Sequence, residues 1–210
     1  MTIEPASSVK PCPPIADTHA KRLKWWMELE PQWRAAFQFA FFGHSNQPSY
    51  EDLEALWQTP TLRFAGPTAP YANMSFELTN CSGLKGMSNL EALMIMHHKL
   101  SSISEVADMT HLKTLFVNNN AIESLEGIEK LKKLEQLFVQ VNNIISLEPI
   151  RDLTNLRQLY VSLNPLKSLN GLTQKHTKAL KAFFCLPNDN LTDREIMRVE
   201  RTVGIRCRSL

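Results

Sequence analysis

Leucine returns every 22 residues through the middle of this chain, at Leu90, Leu112, Leu134 and Leu156. Each is followed by Leu93, Leu115, Leu137 or Leu159, and then by Ile95, Val117, Val139 or Val161. A polar column comes next, His98, Asn120, Asn142 and Asn164, and after it Leu100, Ile122, Ile144 and Leu166. The later part of each unit repeats too, through Ile103, Leu125, Leu147, Leu169 and through Val106, Ile128, Ile150, Leu172. A unit this short cannot enclose a core of its own, so it must bury its apolar side against a copy on either side. The pattern predicts a stacked solenoid and excludes a closed globule over this stretch.

Each column has a physical reason. Leu-x-x-Leu-x-Val alternates like a strand, so Leu115 and Val117 are expected to point inward and Phe116 outward. The Asn column marks the place where the chain turns out of the strand. A buried amide there can pair with backbone groups of its own coil and of its neighbour. His98 stands in this column in the first clear unit. The return segment is short, with Gly83, Gly127, Pro149 and Gly171 in one column and Glu105 as the exception. Tight turns or brief 3₁₀ segments are expected there. The same column exposes a degenerate earlier unit, Leu78, Cys81, Leu84 and Met87, whose strand is expected near Tyr71 to Asn73. Residues 68–175 are thus read as about five coils.

Solenoid ends expose apolar surface and need caps. Residues 18–67 read as a helical N-terminal cap. Its helices are Lys21–Glu30, a second starting at Pro31 and ending at Gly43, and a third N-capped by Ser49 with Asp52 behind it. The aromatic side chains Trp26, Trp33, Phe37 and Trp57 are read as packing against the first coil. Residues 176–210 read as a C-terminal cap. A modified strand at Ala179–Leu186 leads to a helix at Asn190–Gly204 with Thr192 as its N-cap, and Ile205–Cys207 is expected to return as a short strand. Residues 1–17, rich in proline, read as a disordered tail.

Twenty-three basic and twenty-one acidic residues leave a net charge of +2, too little to hold a polyanion at physiological salt. Nucleic acid and membrane surfaces are therefore not expected partners. No apolar run is long enough to span a bilayer, and the N-terminus has no secretory-signal pattern, so the chain is read as cytoplasmic. Asn73, Asn80 and Asn190 match the glycosylation acceptor pattern and are read as chance matches. Cys12, Cys81, Cys185 and Cys207 show no CxxC spacing; Cys185 and Cys207 are expected as neighbouring reduced thiols in the C-terminal cap. Phosphate-cradling, zinc-protease and nucleophile-elbow motifs are missing from the sequence. No enzyme activity, cofactor or metal is expected.

The run Leu112-x-x-Leu115-x-Val117-x-x-Asn120-x-Ile122-x-x-Leu125-x-x-Ile128-x-x-Leu131 resembles the 22-residue class of leucine-rich repeats. That class includes the internalins and a regulatory subunit of protein phosphatase 1. The caps, Trp25-Trp26 to Phe37 and Leu186 to Cys207, resemble those of bacterial members of the class. The resemblance implies a right-handed α/β solenoid, with a parallel sheet on the concave side and turns on the convex side. It also implies that the concave sheet binds proteins. Outward strand positions give lateral ladders across the coils. The central one is Met94, Phe116, Phe138, Tyr160, flanked by Gln136 and Gln158 and by Met96, Asn118 and Gln140, with His97 beside them. An exposed apolar row on a soluble protein marks an interaction site, and aromatic and Met side chains are favoured at interface centres. The expected role is an adaptor or regulatory subunit, monomeric or weakly dimeric, with a protein partner. A self-associating structural solenoid, or a protein that neutralises an enzyme, are the alternatives. The rim carries Glu91, Lys113, Glu135 and Arg157, mixed signs that favour neither a strongly acidic nor a strongly basic partner.

Overall fold

A computed structural model describes residues 15–210. Seven strands form one parallel sheet in chain order, each paired with its successor: β1 Thr61–Ala65, β2 Ala92–Met96, β3 Thr114–Phe116, β4 Gln136–Phe138, β5 Gln158–Tyr160, β6 Ala182–Leu186 and β7 Arg208–Ser209. From β2 to β5 the register follows the repeat, with Leu93, Leu115, Leu137 and Leu159 side by side. These leucines and Ile95, Val117, Val139 and Val161 are fully buried, and one continuous apolar core runs the length of the stack. Short 3₁₀ turns make the convex return, at Ser104–Asp108, Ile128–Lys130 and Glu148–Ile150. The solenoid is the one the period requires.

The polar column ties coil to coil. Asn120 Oδ1 accepts the Leu100 N–H at 3.1 Å, Asn142 that of Ile122 at 3.0 Å and Asn164 that of Ile144 at 2.9 Å. Each Nδ2 donates to a carbonyl of its own coil and one of the coil before, as Asn142 does to Val139 at 3.0 Å and Val117 at 2.9 Å. One amide thereby satisfies several buried backbone groups that a turn would leave unpaired. Asn188 extends the column into the C-terminal cap, accepting the Asn164 N–H at 2.6 Å.

The turn column unites residues that are needed for different reasons. Gly127 and Gly171 adopt φ of +102° and +104°, where a side chain is strained. Gly83 has ordinary φ, but a Cβ there would lie 2.3 Å from the Trp33 ring.

The first coil departs from expectation. Its strand is β1, Thr61–Ala65, and not the segment near Tyr71 to Asn73; Thr61 aligns with Ala92. It lies within residues 18–67, a stretch read as wholly helical, because nine extra residues in the first coil shift it out of period. Asn73 closes the insertion, accepting from the Ala65 N–H at 2.7 Å and donating to the Arg63 carbonyl at 2.8 Å. Ahead of β1 stand α1 Ile15–Glu28, α2 Pro31–Phe37 and α3 Tyr50–Gln58. A π-turn, Gln38–Phe42, follows α2 and ends at Gly43 in the left-handed region. Ser49 caps α3 with a complete capping box through Asp52. Trp33 and Phe37 are fully buried and meet the β1 ring Phe64 at centroid distances of 5.3 and 5.6 Å. The cap aromatics therefore cover the end of the stack. Of the segment 1–17 read as a disordered tail, residues 1–14 lie outside the described residues, and Ile15 opens α1.

At the other end Phe183 aligns with Leu159, two residues later than the period would place it. The helix expected over Asn190–Gly204 is α4 Asp193–Arg198 followed by a π-turn Val199–Val203, with Thr192 as N-cap. The closing strand is Arg208–Ser209 and not Ile205–Cys207.

Candidate interaction surface

The strands leave every second side chain on the open concave face, and there the central column is continuous. Phe116 and Phe138 stack at 4.1 Å with an interplanar angle of 16°, and Phe138 meets Tyr160 at 4.1 Å and 38°. The column is one ring longer than the repeat reveals. Phe184 of β6 stacks on Tyr160 at 4.5 Å and 18°, and the Arg208 guanidinium lies 5.9 Å from the Phe184 centroid. Parallel strand spacing near 4.8 Å sets this stacking distance once aromatic residues share a register. Met94 continues the column on β2, and Arg63 stands beside it on β1.

Stacking changes what the rings offer. Their π-faces are turned to one another, so the edges, which carry the positive part of the ring quadrupole, line the open face. Each of Met94, Phe116, Phe138, Tyr160 and Phe184 is partly buried by its neighbours. The row supports the sheet and also presents an apolar ridge.

The flanks are neutral and polar. On one side Thr114 Oγ1 donates to Gln136 Oε1 at 2.9 Å and Gln136 Nε2 to Gln158 Oε1 at 3.1 Å, a chain of hydrogen bonds across three coils. On the other side run Met96, Asn118, Gln140 and Ser162; Asn118 and Ser162 are buried. Gln140 Oε1 and Ser162 Oγ have no hydrogen-bond partner there. The rim charges pair across strands, Lys113 with Glu91 at 2.8 Å and Arg157 with Glu135 at 3.2 Å. The Lys113 ammonium holds the Glu91 carboxyl below the usual carboxylate range.

His97 lies just beyond the strand residues of this face. It follows β2 at the strand end, at a φ of +57°, with its Nδ1 3.2 Å from Thr68 Oγ1. Asn119, Val141 and Leu163 occupy the same left-handed position in later coils, at φ of 55°, 58° and 57°. Val141 is 38% and Leu163 50% exposed, so the rim beyond the strands carries two strained apolar side chains on adjacent coils. Sequence reasoning found the ladder from β2 to β5. It missed Phe184, Arg208, Val141 and Leu163.

Strongly perturbed groups serve the fold. Burial pushes the His98 imidazole down to about 4 and raises the Cys81 thiol. Among the described residues no cluster of His, Cys, Asp or Glu is arranged to hold a metal ion. None of the described helices is long and apolar enough to cross a membrane.

Comparison with known proteins agrees with this architecture. A family model of leucine-rich repeats in two copies matches residues 110–150. No curated protein matches the chain. An internalin, inlF, of Listeria monocytogenes superposes with a TM-score of 0.55 at 22% identity, over 64% of this chain and 39% of that one. The chain thus spans well under half the length of that internalin. The ectodomain of the receptor kinase SOBIR1 from Arabidopsis thaliana gives a TM-score of 0.48 at 18% identity, over 62% of this chain and 72% of that one. Internalin C2 of Listeria monocytogenes gives 0.42 at 16% identity, over 78% of this chain and 86% of that one. Residues 110–150 carry leucine-rich repeats, and the fold of the chain is that of a leucine-rich-repeat solenoid.

Proposed function

We propose that this chain is a non-catalytic interaction module, an adaptor or regulatory subunit in the cytoplasm, that takes a protein partner on its concave sheet. The observation that carries the reading is the unbroken column Met94, Phe116, Phe138, Tyr160, Phe184 on an open face between neutral polar flanks. Ring edges, Met side chains and the amides of Gln136 and Gln158 suit an apolar segment with hydrogen-bonding backbone. A cationic group gains little at the centre of the row, because the ring faces are already occupied. Free thiols at Cys81, Cys185 and Cys207 suit a reducing compartment.

The test is affinity capture from the native cell with the wild-type chain, with Phe116→Ala/Phe138→Ala, and with the convex-face control Lys130→Ala. A stoichiometric partner lost with the double variant and retained by the control supports the reading. Retention by the double variant ends it, provided the variant keeps its circular dichroism.

Self-association is a second reading, favoured by the exposed pair Val141 and Leu163. Molar mass in solution, read against concentration for the wild type and Leu163→Asn, separates the two.

A further inference from the structure

We infer that the segment docked on the concave row is an apolar peptide flanked by Asp or Glu side chains, whose carboxylates lie at the β6–β7 end of the sheet. This partner chemistry rests on the concave-face reading above and gives it a polarity.

The rim changes character along the stack. From β2 to β5 its charges alternate and cancel, Glu91 with Lys113 and Glu135 with Arg157. The next coil breaks the alternation. The Lys181 N–H donates to the Arg157 carbonyl at 2.8 Å, which sets Lys181 beside Arg157 in the rim column, where the pattern would place an acid. The last coil adds two more cations. Exposure alternates over residues 205–208, with Ile205 buried, Arg206 exposed, Cys207 half-buried and Arg208 exposed, so the two arginines share a face. That face is the concave one, because Arg208 aligns with Phe184 and holds its guanidinium 5.9 Å from the ring centroid. Lys181, Arg206 and Arg208 are all exposed, and among the described residues none of them forms an ion pair. The sequence after Glu200 holds no Asp or Glu, and Glu200 Oε1 accepts the Cys207 N–H at 3.0 Å.

The opposite end of the row is also cationic, but its cation is engaged. Arg63, beside Met94, donates through Nη2 to the Tyr71 carbonyl at 2.7 Å and the Pro70 carbonyl at 3.4 Å. The insertion of the first coil therefore occupies that guanidinium, and open donors gather at β6–β7. The rings favour the same sign. Their exposed edges carry the positive part of the quadrupole, so a carboxylate beside Phe184 meets a ring edge and the Arg208 guanidinium together. Unpaired cations clustered at one end set a local field that the net charge of +2 conceals. From Met94 on β2 to Arg208 on β7 the row is about 24 Å long at the parallel strand spacing. An extended peptide of about seven residues spans that length.

The experiment presents the full chain to a library of random peptides of about twelve residues, long enough to cross the row. The peptides are acetylated and amidated, so that only their side chains carry charge. Selection runs in parallel on the wild type, Phe116→Ala/Phe138→Ala, Lys181→Glu/Arg206→Glu/Arg208→Glu and Arg63→Gln, each checked by circular dichroism. The expected result is enrichment of Asp or Glu beside an apolar run for the wild type and for Arg63→Gln. The triple charge reversal should weaken binding of the selected peptides by about tenfold or more and select Lys or Arg instead. The double ring variant should bind none of them. Peptides that depend on the rings but carry no excess of acid would overturn the inference and leave the concave-face reading standing. Acidic peptides held equally well by the double ring variant would overturn it too, as would acid enrichment that survives the triple reversal or disappears with Arg63→Gln. Failure of the wild type to select any peptide would also overturn it, and the affinity capture described above then decides the concave-face reading by itself.

Discussion

His98 does for Leu78 what Asn120 does for Leu100: its Nδ1 accepts the Leu78 N–H at 3.0 Å, where the Asn120 amide accepts at 3.1 Å. The substitution is imperfect. Asn120 Nδ2 donates to two carbonyls of adjoining coils at 2.9 and 3.1 Å, whereas His98 Nε2 turns toward the Phe64 carbonyl without completing a well-formed bond. An acceptor at Nδ1 requires the neutral ring, and burial holds the imidazole at about 4 against an ordinary value of 6.5.

Stability should therefore depend on pH through this residue. The unfolded chain binds a proton below 6.5 that the folded chain refuses until about 4. The contribution is complete above 6.5, falls as pH drops toward 4 and is level below that. About 3 kcal/mol is lost across the window, taking 1.36 kcal/mol per pH unit. Urea midpoints at pH 7 and pH 4.5 should diverge more for the wild type than for His98→Asn. Equal divergence would show that other groups dominate.

The amide column predicts a contrast between neighbours. Asn142→Ala leaves the Ile122 N–H and the Val117 and Val139 carbonyls buried without their partner, at a cost of about 3 kcal/mol. Asn143→Ala, one residue along on the exposed side, should cost under about 0.5 kcal/mol. Chemical denaturation of the two variants reads the difference directly.

Gly127 and Gly171 share a column and a positive φ, yet they differ in what surrounds them. A Cβ on Gly171 would sit 2.0 Å from the Leu147 carbonyl oxygen, while on Gly127 its nearest neighbour is the Ser104 Cα at 3.2 Å. Gly127→Ala should cost about 1 kcal/mol, mostly from backbone strain, and Gly171→Ala at least about 3 kcal/mol, because the coil before it must move. Similar losses for both would mean that φ alone governs the column.

Val141 is β-branched at a φ of 58° and more than one-third exposed. Val141→Asn puts a residue tolerant of that conformation on the same backbone and should stabilise the chain by about 1 kcal/mol. A lower Tm for the variant would show that the Val side chain contributes packing that outweighs its strain.

Much of this fold is legible in the sequence because stacking demands chemical sameness at fixed intervals. Leu93, Leu115, Leu137 and Leu159 must be alike to lie side by side, so the columns and the ladder between them can be read directly. Where coil length changes, the signal fails. The apolar pair Leu62 and Phe64 of β1 alternates like every other strand, but it stands 31 residues before Leu93 and Ile95 and is absorbed into an aromatic, helix-like run. Phe184 is concealed by the two extra residues before β6. The left-handed position of His97, Asn119, Val141 and Leu163 leaves no trace at all, since those side chains have no chemistry in common. There the hydrogen bonds of the stack impose a backbone shape against residue preference.

The in-order pairing of β2 through β5 makes the interior coils interchangeable in a way that the ends are not. Each accepts on one edge what it offers on the other through the same leucines, and from β3 to β5 through the same amide and an aromatic ring as well. Reach along the inner wall is therefore a variable that can be altered in whole increments of one coil, while the aromatic lid and the carboxy-terminal clasp stay as they are.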